Sequence, residues 1–209
     1  MKNVAILLSG RGSNFMALAD AIDRGEIPAT IAVVISNRAE APGLEHARNR
    51  GYPTAFVSPC GRSREEFDRE VVARLEEAGV EIVCLAGFMR LLSPLFVQHF
   101  PMRVLNIHPS LLPAFPGLHA QEQALAWGSK ISGCTVHFVD EELDHGPIII
   151  QRAVPVLDDD DEESLAARIL EIEHQIYPEA LRLICQDRVR AEGRRVVIGS
   201  AKGEGRKAN

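Results

Sequence analysis

Val104-Leu105-Asn106-Ile107-His108-Pro109-Ser110-Leu111-Leu112-Pro113-Ala114 is an apolar run that carries an amide and an imidazole two positions apart and then meets prolines. Side chains alternate between the faces of a strand, so Asn106 and His108 share one face. Pro109 lacks a ladder donor and biases His108 toward extended backbone, which ends the strand there and leaves both polar groups at its carboxyl edge. In an open α/β sheet ligands gather at that edge. An amide that can donate to a developing oxyanion, beside a ring that titrates near neutral pH, suits acyl or formyl transfer to an amine. A strand-end Asn capping a turn and a His packed under a loop would be spelled the same way, so the rest of the chain must decide.

Working outward, short aliphatic runs alternate with helical patterns. Strands are expected at 3–8, 30–36, 54–57, 81–86 and 103–108, with helices at 13–24, 42–50 and 64–78. Ser63 with Glu66 reads as a capping box, and Gly79 as the stop of the third helix. This rhythm implies a mostly parallel, doubly wound sheet with right-handed crossovers. After His108, four positions (Pro109, Pro113, Pro116, Gly117) predict an irregular loop, followed by a helix at 119–127. Strands at 134–139 and 148–156 are separated by a polar turn short enough for an antiparallel pair. A long amphipathic helix is expected at 161–185, with Leu165, Ile169, Ile172 and Ile176 on one stripe and an interruption or bend at Pro178. The expectation is one domain over 1–198 and a flexible tail over 199–209.

The chain has 209 residues, 46% of them hydrophobic, which is enough for one substantial core. A net charge of -6 argues against a nucleic-acid-wrapping surface, so an anionic substrate must be held by local groups. Cys60, Cys84, Cys134 and Cys185 are far apart, and the expectation is reduced, mostly buried thiols in a cytoplasmic protein. The apolar run Val4–Leu8 is too short for a membrane span.

Ser9-Gly10-Arg11-Gly12-Ser13-Asn14 opens the first helix, where free N–H groups and the positive dipole end favour an anion. A Gly-x-Gly turn also occurs there for purely steric reasons. Phe15 stands where a dinucleotide fingerprint needs its third glycine, and the second strand ends Ser36-Asn37-Arg38 without a ribose-holding acid. A single phosphomonoester fits better than a dinucleotide. Leu85 to Leu92 exposes large apolar side chains around Arg90, either as ordinary core or as the wall of a slot for a flat heterocycle. The Asp140–Gly146 turn is acidic, and Asp144 in it can approach His108 and hold its proton on the useful nitrogen. Asp158 to Glu163 is assigned to capping of the last long helix. The seven histidines have no zinc-ligand spacing, so no metal is expected.

Taken in register, Ser9-Gly10-x-Gly12-Ser13-Asn14, Leu85 to Arg90, Asn106 to Pro113, Phe115-Pro116-Gly117-Leu118-His119 and Val136-His137-Phe138-Val139 resemble the folate-dependent formyltransferases of the glycinamide ribonucleotide type in purine synthesis. The resemblance runs from about residue 3 to about 185. It implies a Rossmann-like α/β domain with an antiparallel C-terminal extension. It further implies transfer of the formyl group of 10-formyltetrahydrofolate, a co-substrate, to the primary amine of glycinamide ribonucleotide, without metal. On that resemblance Asn106, His108 and Asp144 are the catalytic positions. Arg11, Gly12, Ser13 and Asn14 match a substrate-phosphate cradle, and Leu170, Glu171, Ile172 and Glu173 match the sugar-binding segment. Met89, Arg90, Leu91 and Leu92, with Asp140, Glu141, Glu142 and Leu143, match the walls of the pterin slot, which Asn106 and Asp144 also face. Arg64 matches a position near the folate's glutamate tail. The chain departs from many relatives at Ala120-Gln121-Glu122 and at His145, which would either compete for Asp144 or face solvent.

The implied partners are small molecules, with no nucleic acid or membrane, in a monomer or homodimer. Rival readings are a formyltetrahydrofolate hydrolase, a methionyl-tRNA formyltransferase and a catalytically silent nucleotide-binding module. The first two are expected to carry an additional domain before or after the one read here.

Overall fold

The computed structural model describes residues 1–199. Seven strands form one sheet in the order β3-β2-β1-β4-β5-β6-β7. They are β1 (Lys2–Leu8), β2 (Ala29–Ser36), β3 (Thr54–Phe56), β4 (Ile82–Leu85), β5 (Val104–His108), β6 (Ile131–Phe138) and β7 (Ile148–Pro155). The pairs from β3 through β5 are parallel, whereas β5–β6 and β6–β7 are antiparallel. The helices between them are α1 (Ser13–Asp23), α2 (Pro42–Asn49), α3 (Arg64–Glu77), α4 (Pro94–His99), α5 (Ala120–Ala126) and α6 (Glu162–Cys185).

Strand alternation divides the core in two. Val4, Ile6 and Leu8 of β1 join Phe15, Leu18 and Leu44 under α1 and α2, while Ala5 and Leu7 join Phe67, Val71 and Phe96 under α3 and α4. The sheet is therefore covered on both faces, and its chain path reverses direction between β1 and β4. A crevice opens at such a reversal, beyond the carboxyl ends of the strands. Helix α3 starts with Ser63 Oγ accepting from the Glu66 amide (3.2 Å) and Glu66 Oε2 accepting from the Ser63 amide (2.7 Å). Asp161 caps α6 by accepting from the Ser164 amide (2.8 Å), and Asp160 pairs with Arg168 (2.7 Å), so the acidic run serves the helix start.

Several expectations are corrected. Of the interruption or bend expected at Pro178, the interruption is absent, since helix α6 is continuous across it. Helix α4, six residues behind Pro94, has no counterpart in the sequence reading because it is too short to display a period. A second, two-stranded antiparallel sheet, β8 (Val189–Glu192) with β9 (Arg195–Ile198), was also missed, although Gly193-Arg194 between two short runs is a hairpin spelling. Gly199, read as the first tail residue, closes this hairpin through its amide to the Arg188 carbonyl (2.8 Å). Residues 200–209 of that expected tail lie outside the described residues. Among the described residues no helix is long and apolar enough to cross a membrane.

Candidate active site

Strand β5 ends where the sequence places it, and β6 pairs with it so that His137 stands opposite Asn106 and Thr135 opposite His108. Three of these four are buried, and Asn106 is partly exposed at the rim. Thr135 Oγ1 donates to the Ser110 carbonyl (2.7 Å) and accepts from the Leu112 amide (3.1 Å), which seats the loop after β5 over the strand ends.

The loop between β6 and β7 returns to the same rim. Asp144 Oδ2 lies 3.3 Å from His108 Nδ1 and accepts from the Gly117 amide at 2.8 Å, so a single carboxylate joins the strand end to both loops. His108 Nε2 lies 2.8 Å from the Phe115 carbonyl oxygen. Both ring nitrogens thus face oxygen acceptors.

His137 had no role assigned in the sequence reading. Its Nδ1 donates to the Phe138 carbonyl (2.8 Å), which leaves Nε2 to accept from Asn106 Nδ2 at 3.2 Å. Burial lowers the His137 pKa and so favours the neutral ring, whose proton the Phe138 carbonyl holds on Nδ1. The signal available was Thr135 and His137 alternating in an otherwise apolar strand, a mirror of Asn106 and His108. What the sequence lacks is the cross-strand register that sets them face to face.

Two strands away from β5, about 10 Å at the usual strand spacing, β1 runs into the Gly10–Asn14 loop. Gly12 adopts φ +78, and a Cβ there would meet Gly43 Cα at 2.7 Å, so only glycine lets this loop nest against the start of α2. No side chain caps α1, and its first N–H groups face the loop. Arg11 is exposed in a cleft that Arg38 and Glu40 also line. Ser13 is partly buried; Asn14 Nδ2 donates to Glu173 Oε2 at 2.7 Å, although 159 positions separate them. Asn14 Oδ1 is buried without a partner among the described residues. Burial pushes the Glu173 carboxyl up to about 7, against the opposing Asn14 hydrogen bond. Leu170 and Ile172 are partly buried on α6, and Glu171 is exposed.

Ser9 ties this loop to the segment after β4, since its hydroxyl accepts from the Met89 amide (2.8 Å) and donates to Asn37 Oδ1 (2.6 Å). Met89 and Leu91 are exposed apolar side chains here, as is Leu143 across the rim, whereas Leu92 packs onto the α3 and α4 core. The Arg90 guanidinium lies 4.4 Å over the Phe67 ring, turned toward α3. Arg64 stands exposed in the first turn of α3. Asp140 accepts from the Glu142 amide (3.1 Å) and meets His145 Nδ1 (2.8 Å), while Glu141 accepts from Gln98 (2.8 Å) on α4. His145 is therefore exposed, as one of the two expected alternatives has it, and pairs with Asp140 instead of competing for Asp144. Glu142 is exposed.

Comparison with known proteins bears on this geometry. The family described as "Formyl transferase" matches residues 2–181. A solved structure of glycinamide ribonucleotide transformylase 1 from Symbiobacterium toebii is 53% identical, with a TM-score of 0.94 over 96% of this chain and 95% of that one. The phosphoribosylglycinamide formyltransferase of Escherichia coli is 48% identical over 177 residues, covering 84% of each chain. The trifunctional purine biosynthetic protein adenosine-3 of Drosophila pseudoobscura is 52% identical over 90% of this chain, which spans 14% of that longer relative.

Proposed function

We propose, for a chain that belongs to the formyl transferase family, that it moves the formyl group of 10-formyltetrahydrofolate onto the primary amine of glycinamide ribonucleotide in purine synthesis. The observation that carries this reading is the meeting of Asn106, His108 and Asp144 at one sheet edge, two strands from a glycine loop at a helix start.

The phosphate sits on the α1 amino end with Arg11 beside it. There Gly12, Ser13 and Asn14 offer backbone N–H groups. Asn14 Oδ1 and the Glu173 carboxyl supply acceptors for sugar hydroxyls. The amine end then extends along the rim toward β5. Met89, Leu91 and Leu143 form an exposed apolar surface beside the same rim, which suits a flat heterocycle better than water. The amine nitrogen attacks the formyl carbon and a new C–N bond forms. Charge develops on the formyl oxygen, where the second Asn106 N–H and a His108 N–H donate. Engagement of His108 Nε2 with that oxygen requires it to leave the Phe115 carbonyl. Asp144 holds the other ring nitrogen and orients water that carries the amine proton away. Collapse of the tetrahedral centre breaks the bond to the folate nitrogen, which takes up a proton.

Incubation of the purified chain with 10-formyl folate, with and without glycinamide ribonucleotide, tests this. Amine-dependent loss of the formyl group is the expected result. Amine-independent loss would indicate a hydrolase, and no loss a silent module.

A further inference from the structure

The turn of the C-terminal hairpin, Gly193-Arg194, lies beyond residues 2–181, where the family description matches, yet it reaches the loop that presents Asp144. Arg194 Nη2 donates to the His145 carbonyl at 2.6 Å, and Nη1 lies 2.8 Å from His145 Nε2. Nη1 is also 3.2 Å from His145 Nδ1, so the guanidinium lies against the ring while it holds the carbonyl. The ring's Nδ1 in turn lies 2.8 Å from Asp140 Oδ2. Glu142 Oε2, at 3.9 Å from Nε2, is the other charge facing the ring. Arg194, His145 and Asp140 therefore form a continuous chain from the hairpin tip to the start of the loop.

The carbonyl that Arg194 holds belongs to the residue immediately after Asp144. Asp144 itself has φ +49, a conformation that costs a non-glycine residue energy and persists only when neighbours impose it. On the strand side the loop is pinned by Gly146, where a Cβ would lie 1.8 Å from the Phe138 carbonyl oxygen. On the outer side, among the described residues, the loop is held by Arg194 on the His145 carbonyl, by the Gly117 amide on the Asp144 carboxylate and by Gln98 on Glu141.

We propose that Arg194 is a positioning residue: the hairpin tip fixes the Asp140–His145 loop and with it the spacing between Asp144 and His108. The proposal rests on the function assigned to that site, so its test has one readout that needs no turnover. In the full chain, Arg194→Ala is expected to speed amide hydrogen exchange over 140–146 while leaving 104–108 and 10–14 unchanged. It lowers kcat roughly ten- to hundredfold, as loss of positioning does, with KM for glycinamide ribonucleotide unaltered. Arg194→Lys, which can still donate to the carbonyl, recovers part of both effects. A general loss of folding would instead quicken exchange everywhere. Unchanged exchange over 140–146 in Arg194→Ala overturns the clamp, whether or not formyl transfer is detected. Faster exchange there with wild-type kcat, in a wild-type chain that does transfer formyl groups, overturns the link to catalysis.

Discussion

Asn14 on α1 and Glu173 on α6 form a buried hydrogen bond of 2.7 Å that joins the first helix of the chain to its last long one. Burial is the larger influence on Glu173 and holds its carboxyl near 7, so the folded protein keeps a proton that the unfolded chain releases near 4.5. The resulting stability is present below that unfolded value and is lost as pH rises to about 7. Relative to wild type, Glu173→Gln should remove this slope, on the order of 3 kcal/mol between pH 4 and pH 8. Denaturation midpoints across that range check it, and parallel curves for the two proteins would refute it.

His108→Ala should reduce turnover by ~10²–10³, the usual effect of losing an oxyanion donor. Affinity for the phosphate substrate should barely move, because the Gly10–Asn14 loop sits two strands away. Steady-state kinetics paired with calorimetric binding of glycinamide ribonucleotide separates the two quantities. Equal losses in both would contradict the division of labour between the loops.

Asp144→Asn keeps the shape of the side chain, and an amide oxygen in place of Oδ2 still accepts from the Gly117 amide and faces His108 Nδ1. It removes the negative charge that stabilises a protonated ring and attracts the amine proton. The expected fall in kcat is at least ~10², in the range of acid–base contributions. A variant with wild-type kcat would remove Asp144 from the mechanism.

Gly12→Ala places a methyl group 2.7 Å from Gly43 Cα on a backbone at φ +78. The loop has to open to accommodate it, so KM for glycinamide ribonucleotide should rise by an order of magnitude or more while KM for the folate changes little. Matching increases in the two constants would mean that the strain spreads beyond this loop.

Tyr177→Phe removes a hydroxyl that shares its proton between the Leu85 carbonyl at the end of β4 and the Leu105 carbonyl near the start of β5. The ring is fully buried, so no water replaces the bond, and the loss should be about 1–3 kcal/mol in chemical denaturation. An unchanged midpoint would show that these carbonyls find other donors.

Much of this architecture was legible along the chain. The β5 strand and its halt at Pro109, the Ser63–Glu66 capping box and the α6 stripe through Leu165, Ile169 and Ile176 are local patterns of period, cap and breaker. So were Asn106 and His108, which share a face by strand alternation alone. Asp144 was nominated by its place in a turn and by resemblance. Its distance from His108 depends on two loops folding onto the same rim. His137 and Arg194 carry no local signature of their positions, since one depends on antiparallel register and the other on where a hairpin tip lands.

The order of residues was sufficient to determine which segments become strands and helices, and which polar side chains reach the sheet's carboxyl edge. Those outcomes follow from steric limits and hydrophobic periodicity within a few residues of each position. Tertiary structure alone decided which of those side chains touch: Asn14 with Glu173, Asn106 with His137, His108 with Asp144. Hydrogen bonds and ion pairs act over about 3 Å, and partners separated by tens of positions in sequence come that close only when the packed sheet and its loops bring them there.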